Sequence, residues 1–214
     1  MRRGNFRDET VDYAAVGGTQ AHDLLQFPPE LSLPAAESLR IGSGEQRFRA
    51  SSESLLIWAA QRSVGQVVEV KPATGTAYTG VGFDAEGNPV APADMAGEQR
   101  FDADGGPLVS GGATITLRGR VKGHSVTGEY RVIFVEESAR RVAFALGTVG
   151  GSVVSGEELF ALEWRDDDEV WLELRAFDRP TKPLGRLFKG IIRARRRALF
   201  DRYQRAISPL FKTP

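Results

Sequence analysis

The sequence predicts an α+β protein in which a curved antiparallel sheet packs on a long C-terminal helix. Two observations carry this. Between Pro107 and Phe177, successive stretches alternate apolar and polar residues and are separated mostly by short turns, the pattern of an antiparallel meander with one buried face. The chain then closes with "LGRLFKGIIRARRRALFDRYQRAISPLF". There Phe188, Ile192, Leu199, Tyr203, Ala206 and Leu210 recur at helical spacing, and arginines fill most of the remaining arc. A curved sheet must bury its apolar face, and this amphipathic helix is the obvious cover.

Taken in order, residues 1–39 read as an irregular arm packed on the body, because "VGGTQ" and "QFPPELSLP" are rich in turn formers. Residues 40–214 read as one α+β domain. "LRIGSGEQRFRA" looks like a first strand. "SSESLLIWAAQR" reads as a helix of about three turns, with Ser51 as N-cap and Leu55, Trp58 and Ala59 on one face. Val67, Val68 and Val70 mark a strand, "TAYTGVGF" another, and Asp84 to Gly106 reads mainly as a long loop. In the meander, period two groups Ala113, Ile115, Leu117 and Val121. It likewise groups Tyr130, Val132 and Phe134; Val142, Phe144 and Leu146; Phe160, Leu162 and Trp164; and Val170, Leu172 and Leu174.

Composition bounds what this fold can do. The 214 residues are 41% hydrophobic and 26% charged, ordinary for a globular chain. The absence of cysteine rules out disulfides and thiolate metal sites and fits a reducing cytoplasm. With only two histidines, His22 and His124, a protein-built zinc or iron site is not expected, and no cofactor is predicted. The start of the chain lacks the apolar stretch of a signal peptide, and no run suits a membrane helix. The zero net charge conceals a gradient: residues 1–107 carry 9 basic and 15 acidic side chains, residues 184–214 carry 9 and 1.

Several stretches raise functional questions. "GTVGGSVVSGEELF", Gly147 to Phe160, has four glycines, but a phosphate cradle needs a helix to begin after them. A strand pattern follows instead, so it reads as a hairpin connection at the sheet rim or a loop at a cavity mouth. "RDDDE" reads as a solvated hairpin turn without the spacing of a calcium loop. His124, in "KGHSVTG", reads as an exposed loop residue. Glu157 and Glu158 are adjacent and face opposite sides of a strand. If Phe160, Leu162 and Trp164 point inward, so does Glu158, with Arg175 or Arg179 as a conceivable partner. A cavity between sheet and helix would be lined by Tyr130, Phe144, Glu158, Phe160, Trp164, Leu172, Arg175 and Tyr203. On the helix, Arg193, Arg195, Arg196 and Arg197 read as a solvated outer face, or as a surface for an anionic membrane or partner. Nucleic acid is disfavoured, because no aromatic platform accompanies them.

Strand, helix, antiparallel strands and long C-terminal helix, in that order, resemble the helix-grip shape of START and Bet v 1 domains. The residues also resemble a specific family. "GTVGGSVVSGEELF", "VWLELRAFDRP", a basic terminal helix ending "RYQRAI", and the earlier "AVGGT" and "LRIGSGEQRF" are similar to the family called domain of unknown function 1990. The resemblance implies a soluble one-domain protein and supplies no activity. The chain departs from the family pattern at Ser152, where a histidine is usual, and at Asp178, where a serine is usual. If that histidine is catalytic in relatives, this chain cannot repeat the chemistry, which lowers the expectation of an enzyme. The leading expectation is a cytoplasmic, non-catalytic binder of a small apolar or amphipathic molecule. The alternatives are an enzyme using Glu158 with an arginine, and an interaction protein working through its basic helix.

Overall fold

The computed structural model describes residues 11–71, 82–83, 89–90, 100–182 and 189–208. Strand β1 (Leu33–Ser43) leads into helices α1 (Glu45–Leu56) and α2 (Ala59–Val64) and strand β2 (Gly65–Lys71). The two-residue strands β3 (Gly82–Phe83) and β4 (Pro89–Val90) form a separate pair. The meander is β5 (Thr114–Val121), β6 (His124–Glu137), β7 (Arg141–Gly150), β8 (Val154–Trp164) and β9 (Glu169–Pro180), and helix α3 (Lys189–Ile207) follows. The seven long strands make one antiparallel sheet in the order β1-β9-β8-β7-β6-β5-β2. The first strand therefore pairs with the last. Register breaks between Arg40 and Gly42, Val67 and Glu69, Glu129 and Tyr130, and Val132 and Phe134 are bulges, which bend and twist a sheet. The helices lie on its concave face, with α3 also against α2.

The expected architecture is present, with four local differences. First, β1 begins at Leu33, inside the stretch read as arm, and pairs with β9 from Leu33↔Asp178 onward. Proline at position 34 is tolerated because β1 is an edge strand. Second, the helix starts at Glu45 instead of Ser51. Gly42 and Gly44 have φ of 144° and 86°, so the chain can turn directly from strand to helix where a side chain would be strained. Ser51 is thus buried in the helix interior rather than capping it. The helix breaks at Trp58, which adopts a left-handed φ of 67°. Full burial and an indole N–H donated to the Pro107 carbonyl at 2.9 Å hold this bulky residue there.

Third, the bulge between Val132 and Phe134 shifts the alternation of β6. Phe134 moves to the outer face beside Ile133, Ala145 and Leu159, and Val135 takes the inner side. Fourth, both faces of the central strands are buried. The segment from residue 11 to residue 27 crosses the convex face over β7, β8 and β9, where Val11 and Val16 pack on the outer cluster. The strand expected over "TAYTGVGF", the loop from Asp84 to Gly106, and Phe188 and Leu210 lie largely or wholly outside the described residues.

Candidate functional site

The concave face is where a ligand cavity is expected, and its centre is packed. Trp58 meets Phe144 with ring centroids 6.0 Å apart, Phe144 stacks on Phe160 at 5.0 Å, and Phe160 meets Tyr203 edge-on at 5.0 Å. All four are buried, with Leu172 beside them in the same core. Phe144, Phe160, Leu172 and Tyr203 therefore come together as expected, as core rather than as walls of a space. Trp164 lies at the far end of β8, stacked on Phe48 at 6.3 Å, with its indole N–H donated to Asp168 at 2.9 Å.

Toward the other end of the groove the core becomes polar. Glu158 points inward, in register with Ala176 and Leu146. Its Oε2 accepts the Tyr203 hydroxyl at 3.0 Å, and its Oε1 lies 2.6 Å from Nη1 of Arg196 in a charge contact that lacks hydrogen-bond alignment. Arg196 donates to Asp178 through Nε at 2.7 Å and Nη2 at 2.5 Å. Glu158, Asp178, Arg196 and Tyr203 are all buried. Burial works against the Arg196 charge, but Asp178 and Glu158 outweigh it and hold the guanidinium ionised. Burial, then the Glu158 charge, pushes Tyr203 well above the ordinary phenol range, and does the same in direction for Tyr130. Both phenols are neutral, and Tyr203 is the donor to Glu158.

This geometry corrects two expectations. Arg175 does not reach Glu158. It pairs in register with Leu159, on the opposite face, where Nη2 donates to the Ala21 carbonyl and Nε lies 3.7 Å from Glu173. A strand residue one position out of phase cannot share a face with Glu158. Nor do the four arginines of α3 form one outer surface. Arg193 and Arg197 are exposed, but Arg195 and Arg196 are buried. Ile192, Arg195, Arg196, Leu199 and Tyr203 follow the helical period of the face turned to the sheet, and the inward acids Glu158 and Asp178 are what Arg196 meets there.

Beyond Arg195 the groove opens. A pocket of about 690 Å³ lies between the start of β6, the β7–β8 hairpin, the end of β9 and the first turns of α3. Val153, Pro180, Ile191 and Ile192 give it apolar walls, and His124, Lys182 and Arg195 bring cationic or titratable nitrogen. Tyr130 stands behind it, close enough to Ser152 and Arg195 to feel both. A second groove, of about 310 Å³, runs between β1 and α3 beside Arg193 and Arg197. Of the residues nominated from sequence, Arg195 lines the larger pocket. Among the missed ones, Ser152 and Lys182 sit at chain reversals and Ile191 in the first turn of α3, where no periodicity signals a shared space. Asp178 could have been found: it continues the inward series Leu174, Ala176 by period two.

The convex face holds a second polar cluster. Glu157 is buried and accepts hydrogen bonds from Tyr13 Oη at 2.7 Å, Gly17 N at 2.8 Å and Thr19 N at 3.1 Å, and from the Thr19 hydroxyl. Asp12 receives the hydroxyls of Thr148 and of Ser155. Burial pushes the Glu157 carboxyl above its ordinary value, against the opposing pull of those hydrogen bonds. Among the described residues, no group of His, Asp and Glu is arranged to hold a metal ion.

The model of a family described as a domain of unknown function, DUF1990, matches residues 94–206, more than half of the chain. The chain belongs to this family. The DUF1990 match takes in β5 to α3, and so the rim pocket and the Glu158–Arg196–Asp178 cluster; the arm, β1, α1, α2 and β2 lie before it. A UPF0548 protein of Deinococcus radiodurans is 32% identical over 109 residues, 47% of this chain and 55% of that protein. The chain thus spans about half the length of the curated relative it matches. Among solved structures, the hypothetical protein jhp0584 of Helicobacter pylori aligns over 99% of both chains with a TM-score of 0.50 at 8% identity, a likeness of fold. A START superfamily protein of Mycobacterium smegmatis aligns over 83% of this chain and 98% of its own with a TM-score of 0.46 at 12% identity.

Proposed function

We propose that this DUF1990 chain is a cytoplasmic, non-catalytic binding protein for one small amphipathic molecule, taken up in the rim pocket between the sheet and α3. The observation that carries the reading is the pocket itself. Its volume of about 690 Å³ falls within the range of about 300–1,000 Å³ usual for small-molecule sites, and its walls combine apolar side chains with a few convergent polar ones. Glu158 is already engaged by Arg196 and Tyr203, so its role here is to position α3 rather than to exchange a proton with a ligand. Among the described residues no helix is long and apolar enough to cross a membrane.

Native mass spectrometry of the protein purified from its own cells tests the reading. A stoichiometric small-molecule mass present in the native spectrum and lost on denaturation is the expected result. A native mass equal to the bare chain, with no uptake when the protein is exposed to an extract of the cells' small molecules, removes it.

A further inference from the structure

We propose that the ligand of the rim pocket carries an oxyanion head, a carboxylate or a phosphate, and that Arg195 receives it. This rests on the reading of the pocket as a ligand site and adds the chemistry of the ligand's polar end. Four observations lead to it.

The first is the character of the pocket wall. Lys182, His124 and Arg195 are its charged or titratable members, and no Asp or Glu is among the described residues that line it. In a chain with 28 acidic side chains, a wall with cations and no carboxylate is electrostatically one-sided.

The second is the state of Arg195. The residue is only 4% exposed. Its Nε donates to the Ser125 carbonyl at 3.2 Å, and its Nη1 is buried with no hydrogen-bond partner among the described residues. A guanidinium carries five N–H donors in a planar fork and is always charged. Burying it without a counter-charge is unfavourable.

The third is the fate of the neighbouring carboxylates. Among the described residues two buried acids, Asp178 and Glu158, lie on the inner face at this end, and Arg196 engages both: Asp178 by the pair of bonds at 2.7 and 2.5 Å, and Glu158 by the 2.6 Å contact. That leaves Arg195 without an ion pair among the described residues, one turn from the pocket mouth. A planar two-oxygen anion is the group that best matches a guanidinium fork.

The fourth is the tail end of the site. Val153 and Ile191 are exposed at 57% and 55%, and with Ile192 and Pro180 they offer an apolar strip beside the cation. Head and tail preferences in one pocket define an amphipathic anion.

The test is a head-group series on a constant tail. Binding of decanoate, decyl phosphate and decanol to the whole protein is measured by isothermal titration calorimetry. Arg195→Gln removes the receiving charge, and Lys182→Glu reverses an exposed charge at the wall. The expected result is that at least one of the two anions binds about tenfold or more tighter than decanol, the scale of one charge-assisted hydrogen bond. Both variants should bring that anion down to the level of decanol while leaving decanol unchanged. Which anion leads distinguishes a carboxylate ligand from a phosphate one. If decanol binds the wild-type protein as tightly as both anions, the oxyanion inference is overturned and the pocket reading stands. If none of the three binds, both are overturned. Should Arg195→Gln fail to fold by circular dichroism, the wild-type series and Lys182→Glu, whose site is exposed, decide the matter alone.

Discussion

At the residue scale, two neighbours in one strand show how a half-turn of the backbone separates roles. Glu157 and Glu158 are both buried, on opposite faces of β8. Glu158 meets a cation, and Glu157 meets none among the described residues; it is held by the hydroxyls of Tyr13 and Thr19 and by backbone N–H groups. Burial outweighs those hydrogen bonds, and the folded-state pKa of Glu157 lies above its unfolded value. The sign of the resulting pH dependence follows. Below the unfolded pKa both states carry the proton and the contribution of this group is fully present. As pH rises through the folded-state pKa, the unfolded chain releases the proton more readily, and that contribution is lost. Glu157→Gln cannot titrate. Urea denaturation from acid to neutral pH should therefore show the stability of the wild-type protein falling relative to the variant as pH rises. A difference that stays flat, or grows in favour of the wild type, refutes the assignment. The slope is the readout, because the amide also changes the hydrogen bonds by a pH-independent amount.

At the element scale, α3 is fixed to the sheet by an ion-pair clamp set in apolar packing. Leu199, Phe200 and Tyr203 bury its apolar face, and Arg196 ties it to Asp178 on β9 and Glu158 on β8. Such a clamp adds little against an apolar alternative of the same shape, but removing one member leaves uncompensated buried charge. Arg196→Met strands two carboxylates at once. It is expected to lower the unfolding free energy by about 3–5 kcal/mol, measured as a lower urea midpoint with an unchanged slope. The double variant with Asp178→Asn should recover part of that loss. A loss under about 1 kcal/mol would mean the carboxylates reach solvent and the clamp is not buried in solution. The β7–β8 hairpin is fixed differently. The Gly156 N–H donates to the Thr148 hydroxyl oxygen at 2.9 Å, and a Cβ on Gly156 would run into the Phe177 carbonyl. Gly156 thus serves close strand packing at that point.

At the scale of the whole molecule, the sheet has two covers. The helices close the concave face, and the segment from residue 11 to residue 27 closes part of the convex one. Phe177 and Leu159, both 2% exposed, sit beneath that segment or beside it, with Tyr13 edge-on to Phe177 at 5.5 Å. Truncation of the chain before Pro28 would open the outer cluster and leave Glu157 without its donors. The expected outcome is a folded but less stable protein that binds a hydrophobic dye such as ANS, with faster amide exchange in β7 and β8. Unchanged stability and no dye binding would show that the segment contributes nothing to the body.

How much of this was legible in the sequence depends on the range of the interaction that decides each feature. Period-two alternation from Thr114 to Phe177 and the helical spacing of Ile192, Leu199 and Tyr203 are local patterns, and they determined the meander, the long helix and the inward direction of Glu158. The absence of cysteine likewise excluded disulfides and thiolate metal sites. Where a glycine or a bulge interrupts the period, the local pattern misled. Gly44 let α1 start before Ser51, and the bulge in β6 sent Phe134 outward. The partners of buried charges were decided only by tertiary structure. Arg196 meets Glu158 across 38 residues of chain and Asp178 across 18, and the arm reaches Glu157 from 138 residues away. The rim pocket is of the same kind. Its walls come from two reversals, a strand end and a helix start, which no single stretch of sequence brings together. Folding places them side by side because the sheet curves and α3 crosses its open end.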